Sequence, residues 1–414
     1  MTNRKISSVR AFETLDSRGN PTVTVHLALE GGSFGMASVP SGASTGEYEA
    51  TERRDGDSRR FSGRGTRKVC ADIETIILPA IRGLDASFQR TLDLRLCELD
   101  GTENKSRLGA NAILAISLAA ARAAASAYEM PLYRYLGGIY GSVSMPTPMM
   151  NILNGGRHAD NNIDIQEFMI VPVGAKTISE AVRIGSEVYH ALRATLQKEG
   201  YTTSVGDEGG FAPDLSDDEA AIELILRAIE TAGYTTNEVK LALDVAASEW
   251  ADGDSYSLPG RGITLSAEEL IHKFEDWCGK YPILSIEDPV GENDAAGWKA
   301  ITKRLGGKIM LVGDDLFVTN SARLRAGIEN GIANAVLVKP NQIGTLSETL
   351  DTVRLATASG YKAVISHRSG ETSDTFISDI AVATSADFLK AGAPARGERV
   401  AKYNRLIQIE RLFD

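Results

Sequence analysis

Ionisable residues follow short apolar runs throughout the second half of this 414-residue sequence. The run AVLV, for example, leads directly into Lys339 in the segment AVLVKPNQIG. Chance seldom places an ionisable group after every apolar run, so we interpret these residues as one functional set and not as separate solvated strand ends. The set comprises Asp244, Glu287, Asp314, Lys339, His367 with Arg368, and Lys390.

The residue types in this set suit magnesium and a small anion. Asp244, Glu287 and Asp314 offer hard oxygen ligands with no nearby His or Cys, which favours Mg²⁺ and disfavours zinc. The lysines of the set supply fixed positive charge for a phosphate or carboxylate, and Arg368 adds bidentate geometry. The sequence therefore predicts a small phosphorylated acid as the ligand.

Three glycine-flanked loops each carry one further reactive or ligand-competent side chain. They are VPSGASTGEYEA around Ser41, NGGRHADNN around His158 and GDEGGFAP around Glu208. A glycine-rich loop is most often a simple turn. In these loops, however, the surrounding residues are small enough to let the loop close over a site, so we predict that the loops complete the same site.

The elements that must position these side chains are short apolar strands, each followed by a polar turn and a helical segment. VKLALDV precedes a predicted helix from about Ala267, and ILSIEDP, IMLVGDD, AVLVKPN and AVISHRS are followed by helices in the same way. Strands that are buried on both faces are typical of parallel βα units. An eight-fold βα barrel suits a segment of about 270 residues, and its strand ends share one catalytic rim. No dinucleotide or P-loop glycine fingerprint favours an open sheet.

The chain before about residue 140 is organised differently. PTVTVHLAL alternates apolar and polar residues, which predicts a strand with one solvent-facing side, and CADIETIILPAI and AILAISLAAARAAASAY predict helices. We therefore predict an α+β domain over residues 1–135 and the barrel domain over residues 140–414. The segment GSVSMPTPMMNILNGG, rich in Gly, Ser and Pro, is the predicted passage between them.

Composition excludes several classes of function. A net charge of −11 and a pI of about 5.2 argue against binding to nucleic acid or a membrane surface. The three cysteines form no CxxC motif, so neither a disulfide framework nor a zinc site is predicted. The N-terminus lacks a signal segment, and Arg122 interrupts the Ala-rich stretch, which we predict to be a buried helix. We expect a cytoplasmic protein; a surface or secreted fraction would have no signal peptide.

Eleven motifs in order, from about residue 14 to residue 404, resemble those of the enolase family. They are DSRGNPTV, PSGASTGE, GTENKSRLGANAI, NGGRHADNN with QEFM, VGDEGGFAP, LDVAASE, SIEDP, GDDLFVTN, KPNQIGTL, SHRSGET and VAKYN. The resemblance covers essentially the whole chain. It implies an α/β protein with an N-terminal α+β capping domain and an enolase-type, modified TIM barrel that starts with two antiparallel strands and two helices.

The same resemblance implies a lyase that reversibly dehydrates 2-phosphoglycerate to phosphoenolpyruvate in glycolysis and gluconeogenesis. Lys339 would be the general base and Glu208 the general acid, with Glu167 assisting the acid step. Fixed cations and partial desolvation are expected to lower the pKa of Lys339, whereas Glu208 is expected to need a raised pKa to donate a proton.

Two Mg²⁺ ions in each active site are also implied. Asp244, Glu287 and Asp314 would hold the first, and Ser41 would help to hold the second against the substrate phosphate. The substrate-binding positions implied by the resemblance are His158, Gln166, Glu167, Glu287, Asp314, Arg368, Ser369 and Lys390. The resemblance further implies a homodimer, with an octamer as the alternative.

Four positions depart from the family pattern, namely Thr24, Arg157, Ala391 and Gly397. None of them carries a predicted chemical role, but they leave room for a paralogue that acts on a related phospho- or phosphono-acid. Arg157, next to His158, is expected to add positive charge for the substrate. A non-catalytic surface or scaffold role is the remaining alternative, and the complete set of ionisable residues argues against it.

Overall fold

The computed structural model describes residues 3–42, 46–139, 144–253 and 255–412. A sheet-and-helix unit comes first in the chain, and a closed barrel follows it. Residues 140–143, where the predicted passage between the domains begins, lie outside the described residues, as do residues 43–45 at the centre of the Ser41 loop.

The first unit contains a three-stranded antiparallel sheet with β2 in the middle. Its strands are β1 (Ile6–Leu15), β2 (Pro21–Leu29) and β3 (Phe34–Ser38). PTVTVHLAL forms β2 as predicted, but its expected solvent-facing side is wrong at Thr22 and Thr24, which are buried. The Thr22 hydroxyl donates to Val39 O at 2.6 Å, and Thr24 Oγ1 shares hydrogen bonds with the hydroxyls of Thr14 and Ser38.

Helices pack against one face of this sheet. They are α1 (Arg67–Asp72), α2 (Leu78–Ile81), α3 (Gln89–Asp100), α4 (Ala110–Ala127) and α5 (Leu132–Gly137), with a π-helical stretch at Ile73–Ile77 between α1 and α2. The Ala-rich α4 is long and apolar enough to cross a membrane by length and composition alone, but 83% of it is buried inside the protein. It packs closely on β3, because a Cβ added to Gly35 would lie only 2.1 Å from Ala119 O.

Eight strands close the barrel. After the first unit the strands are β4 (Thr147–Asn154), β5 (Glu167–Val171), β6 (Lys240–Asp244), β7 (Ala251–Asp252), β8 (Ser255–Leu258), β9 (Ile263–Ser266), β10 (Ile283–Glu287), β11 (Met310–Gly313), β12 (Ala335–Val338), β13 (Lys362–Ser366) and β14 (Phe388–Lys390). The strands β7, β8 and β9 form a small separate sheet. In the barrel, β5 runs antiparallel to β4 and β6, whereas the other neighbours are parallel.

Helices surround the barrel in the predicted order. They are α6 (Ile178–Lys198), α7 (Asp218–Thr231), α8 (Ala267–Lys280), α9 (Ala295–Leu305), α10 (Ser321–Asn330), α11 (Pro340–Ile343), α12 (Leu346–Ala358), α13 (Phe376–Ala383) and α14 (Gly397–Arg411). Two antiparallel strands and two helices precede β6, which confirms the expected departure from strict βα alternation. Met149, Met169, Val312, Leu337 and Val364 fill part of the barrel interior.

Candidate active site

The strand ends bring the predicted residues to one rim of the barrel. Asp244, Glu287 and Lys390 are the last residues of β6, β10 and β14, and Lys339 directly follows β12. The ladder sets Asp244 opposite Glu287 on one side and opposite Glu167 on the other. The apolar runs form the barrel wall, so the first ionisable residue after each run emerges at the same level.

Lys390 is the cation at the centre of this rim. Its Nζ lies 2.8 Å from Asp244 Oδ2, 3.0 Å from Glu287 Oε2 and 3.3 Å from Glu167 Oε1, and all four side chains are buried. Burial disfavours the charged amine, but the surrounding carboxylates outweigh it and raise the pKa of Lys390 well above its ordinary value. Lys390 is therefore a fixed positive charge at neutral pH.

Lys339 makes its closest contact with Asp314, and its backbone N–H donates to the hydroxyl of Thr319 at 2.8 Å. Burial favours the neutral amine, but the Asp314 carboxylate outweighs burial and raises the pKa of Lys339 above its ordinary value. The nearest group to the ammonium is an anion and not another cation, so the lowered pKa expected for the site with two Mg²⁺ ions bound stays a prediction.

Glu167 and Glu208 form an acidic pair around His158. The Nδ1 atom of His158 lies 3.6 Å from Glu167 Oε1 and 3.7 Å from Glu208 Oε1. Burial, reinforced by the Glu208 charge, raises the pKa of Glu167 well above its ordinary value. For Glu208, burial also favours the neutral acid, but His367 and His158 outweigh it and hold its pKa well below the ordinary value. The expected raised pKa at Glu208 is thus wrong here, and of the two carboxyl groups it is Glu167 whose surroundings favour the protonated form.

His367 is held in one tautomer by a neighbouring arginine. The guanidinium of Arg399 contacts Nδ1 of His367, and because a guanidinium only donates, we assign the imidazole hydrogen to Nε2. That nitrogen lies 3.3 Å from Glu208 Oε2, and the same oxygen accepts a hydrogen bond from Asn151 Nδ2 at 3.1 Å. Burial and the charge of Arg399 prevail over the Glu208 carboxylate and lower the pKa of His367 to about 4. His367 is therefore neutral at pH 7.

The first unit of the chain reaches the rim through Ser41 and Glu49. The backbone N–H of Ser41 donates to Gly370 O at 2.8 Å, and Gly370 N–H donates back to Ser41 O at 2.9 Å. Arg368 donates through Nη1 to Glu49 Oε2 at 2.9 Å and through Nη2 to Glu49 Oε1 at 3.1 Å. The predicted anion-binding residues Arg368 and Ser369 thus lie where the two units meet.

Several buried polar atoms point into one cavity without a hydrogen-bond partner among the described residues. They are Nδ1 of His158, Oε1 of Gln166 and Oε2 of Glu167. Buried polar atoms are nearly always paired because an unpaired one costs free energy, so their convergence indicates a polar ligand site. The cavity is lined by His158, Gln166, Glu167, Glu208, Asp244, Lys339, Ser366, His367, Arg368, Ser369 and Lys390.

The chemistry of the predicted metal ligands fits Mg²⁺. Asp244, Glu287 and Asp314 lie at the ends of the neighbouring strands β6, β10 and β11 and offer only carboxylate oxygens. Burial, reinforced by Asp244 and Asp314, raises the pKa of Glu287 well above its ordinary value even though Lys390 opposes this. A bound divalent cation would offset this excess of buried negative charge.

In this structure, however, the carboxylate oxygens of Asp244, Glu287 and Asp314 do not all face one point. Lys390 contacts Asp244 and Glu287, whereas Lys339 contacts Asp314. Within the described parts of the chain, two groups of acidic or imidazole side chains have ligand atoms that all lie within 4.8 Å of one another. These are His158 with Glu167 and Glu208, and Asp288 with Asp314 and Asp315.

Sequence reasoning missed Ser366, which lines the cavity, and several residues that contact the site, among them Glu49, Asn151, Gln342 and Arg399. All of these except Arg399 stand inside stretches quoted above, where they were given no role. Arg157, in contrast, pairs with Glu249 at 2.7 Å and does not line the cavity.

Comparison with known families agrees with this architecture. Residues 6–136 match the family model described as "Enolase, N-terminal domain", and residues 142–413 match the one described as "Enolase, C-terminal TIM barrel domain". Together the two matches cover nearly the whole chain, and the closed eight-stranded barrel is the fold that the second description names. The chain therefore belongs to the enolase family.

Proposed function

We propose that this protein catalyses the Mg²⁺-dependent, reversible dehydration of 2-phosphoglycerate to phosphoenolpyruvate, a step of glycolysis and gluconeogenesis. The observation that carries the proposal is the buried cluster in which Lys390 contacts Asp244, Glu287 and Glu167 beside a cavity with unpaired polar atoms. A small, highly charged acid needs such opposed and desolvated charges around it.

Lys339 is the proposed base that removes the proton from carbon 2 of the substrate. Loss of this proton puts a second negative charge next to the substrate carboxylate, and the fixed ammonium of Lys390 stabilises that charge. Because Lys339 is protonated while it contacts Asp314, that contact has to break and the pKa of Lys339 has to fall before the amine can accept a proton.

The carboxyl pair around His158 is the proposed source of the proton for the departing hydroxyl. Glu208 is the donor in this proposal, and Glu167, whose surroundings favour the protonated form, passes its proton to Glu208 before the hydroxyl leaves. Asn151 and His367 keep the Glu208 carboxylate in a fixed orientation. The hydroxyl then leaves as water and not as hydroxide, which lowers the barrier of the elimination.

Metal and substrate contacts complete the proposal. Asp244, Glu287 and Asp314 would hold one Mg²⁺, and Ser41 would help to hold a second. Bound Mg²⁺ supplies positive charge that stabilises the doubly charged carboxylate. The residues proposed to hold the substrate are His158, Gln166, Glu167, Arg368, Ser369 and Lys390, with Glu287 and Asp314 contributing from the metal side.

The direct test is turnover of 2-phosphoglycerate by the purified protein, followed through formation of phosphoenolpyruvate. We expect EDTA to abolish turnover and added Mg²⁺ to restore it. Full activity in metal-free buffer would contradict the proposed metal ligands. A folded, Mg²⁺-replete protein that leaves 2-phosphoglycerate unchanged would contradict the proposed function, and turnover of a related phosphono-acid would then identify a paralogue.

We also propose a homodimer in the cytoplasm. Phe12, Phe34 and Met36 lie on the outer strands β1 and β3 and are 49%, 56% and 54% exposed, so a second copy of the chain would bury apolar surface there. Light scattering of the protein as it elutes from a size-exclusion column should give twice the mass of one chain. A single-chain mass at micromolar concentration would contradict the dimer.

A further inference from the structure

Gln342 lies in the amide-rich turn after Lys339, and its contacts have no part in the proposed chemistry so far. The residue belongs to the short helix α11 and is only 1% exposed. Its Nε2 donates to Asp314 Oδ1 at 2.8 Å and lies 3.3 Å from Glu49 Oε1. One side-chain amide therefore faces two carboxylates that come from the two different units of the chain.

The surrounding bonds fix the orientation of this amide. The backbone N–H of Lys339 donates to Thr319 Oγ1 at 2.8 Å, so the hydroxyl hydrogen of Thr319 is available for another acceptor. Thr319 donates it to Oε1 of Gln342 at 2.7 Å, and both residues are buried. With Oε1 directed at Thr319, the two amide hydrogens are directed at Asp314 and Glu49.

Each of these carboxylates belongs to a different ion pair of the candidate site. Asp314 is the partner of Lys339, and Glu49 is the bidentate partner of Arg368. The backbone N–H of Ala50 also donates to Gln342 O at 2.8 Å, which ties the segment after the Ser41 loop to the same residue. Gln342 is thus the hydrogen-bonded link between the proposed base and the proposed anion-binding arginine.

We propose that Gln342 is a positioning residue that fixes the carboxylates of Asp314 and Glu49 relative to each other. In this way it aligns the side of the site that carries the base and the metal ligands with the side that binds the substrate anion. The inference rests on the proposed function. It deepens that function by assigning a role to a residue that touches neither the reacting atoms nor the substrate. Partners that orient metal ligands commonly contribute 10–100-fold to metal affinity or activity.

The main test replaces Gln342 with methionine, which has similar length but no donor hydrogens. We expect Gln342→Met to lower kcat on 2-phosphoglycerate at least about tenfold and to weaken Mg²⁺ binding, measured by titration calorimetry with Mg²⁺ alone, at least about tenfold. Both losses should exceed any change in thermal stability, because the amide orients charges that the fold itself does not need.

Two sets of variants separate positioning from folding. Thr319→Val removes the hydroxyl that orients the amide and should reproduce part of both losses, whereas Thr319→Ser should restore values near those of the unmodified protein. The matched control is Gln89→Met, since Gln89 donates to the buried carboxylate of Asp93 at 3.0 Å in the first unit. This control should lower thermal stability but leave kcat and Mg²⁺ affinity within twofold.

Clear outcomes would overturn the inference. Mg²⁺ affinity and kcat of Gln342→Met within twofold of the unmodified protein would do so, as would losses that merely track the fall in melting temperature seen for Gln89→Met. If the unmodified protein were inert on 2-phosphoglycerate, the proposed function would fail but the Mg²⁺ titrations would still decide the role of Gln342. Absence of Mg²⁺ binding by the unmodified protein would contradict both.

Discussion

Side chains of the same type acquire opposite properties in this site because their neighbours differ. Glu167 and Glu208 are both fully buried carboxyl groups, yet the pKa of Glu167 is raised and that of Glu208 is lowered. Glu208 has the imidazoles of His367 and His158 and the donor amide of Asn151 close by, whereas Glu167 faces the charge of Glu208. The neighbours of the two groups therefore shift their pKa values in opposite directions.

The first prediction separates the two proposed proton transfers. Lys339→Ala should abolish both dehydration and the exchange of the carbon 2 hydrogen with deuterated solvent, because the base is gone. Glu208→Gln should lose dehydration by about 10²-fold or more, the usual range for an acid–base group, while exchange at carbon 2 survives. Mass spectrometry of recovered 2-phosphoglycerate measures the deuterium directly.

The opposite pattern would require the roles to be exchanged. If Glu208→Gln stopped exchange and Lys339→Ala retained it, Lys339 would act only as a fixed charge. The conservative variant Lys339→Arg serves as the control, since it keeps a cation beside Asp314 but cannot act as a base near pH 7.

At the scale of elements, short strands and close helix contacts decide where the site residues stand. The antiparallel strand β5 places Glu167 opposite Asp244, and the parallel strand β10 places Glu287 opposite Asp244 from the other side. In the first unit, α4 lies directly on β3 because Gly35 has no side chain and the alanines of α4 have only a methyl group, which lets the two backbones approach. A substitution of Gly35 should therefore lower the free energy of unfolding, because it would force α4 and β3 apart.

The second prediction compares one substitution at two glycines. In Gly35→Ala the new Cβ would lie 2.1 Å from Ala119 O and 2.5 Å from Ala123 N, so the variant should lose at least about 2 kcal/mol of unfolding free energy. In Gly279→Ala nothing lies within 4 Å, and the position is in α8, so this variant should be unchanged or up to about 1 kcal/mol more stable. Urea unfolding of both variants checks the contrast; equal effects would contradict it.

The third prediction concerns the ion pair between the His158 loop and the segment after β6. Arg157 Nε lies 2.7 Å from Glu249 Oε2, and the Arg157 side chain is 56% exposed. Because a solvent-exposed pair contributes only about 0–1 kcal/mol, Arg157→Ala and Glu249→Gln should each raise KM by less than about fivefold with kcat unchanged. The double variant should be no worse than either single variant. A much larger KM in Arg157→Ala alone would show that Arg157 binds the substrate anion directly.

At the scale of the whole molecule, the first unit completes the rim of the barrel. Ser41 pairs with Gly370, Glu49 with Arg368, and farther from the site Arg122 pairs with Asp374 at 2.6 Å. The site therefore depends on both units being folded and docked. Its buried charges should also make the stability of the whole protein sensitive to pH.

The fourth prediction is a loss of stability on mild acidification. The pKa of His367 is about 4 in the folded protein, whereas a histidine in the unfolded chain has a pKa of about 6.5. As the pH falls below about 6.5, His367 therefore binds a proton in the unfolded chain but not in the folded protein, and the free energy of unfolding decreases. Between pH 7 and pH 5 this one residue should account for about 2 kcal/mol. Urea unfolding at both pH values should show a smaller decrease in His367→Gln. The exposed His272 provides the control, because His272→Gln should retain the full decrease.

Much of this protein follows from the sequence alone. Apolar runs that end in Asp244, Glu287, Lys339 and Lys390 predict buried parallel strands and place those residues at one rim, because a strand end is a local property of the chain. The motif order is enough to predict the family and the antiparallel start of the barrel, and both are confirmed. The catalytic and binding roles of these residues stay predictions.

Only the tertiary structure decides which partner each of these groups takes. The pairing of Lys339 with Asp314 joins the ends of two barrel strands, and the link from Gln342 to Glu49 joins the two units of the chain. The burial of Thr24 likewise depends on neighbouring strands, where it contacts the Ser38 hydroxyl. The partners at the rim raise the pKa of Lys339 and lower that of Glu208, because a pKa depends on the charges within a few ångströms and not on the residue type. Sequence therefore determined which groups stand at the rim, whereas the packing of those groups against one another inside the closed barrel determined how they are charged.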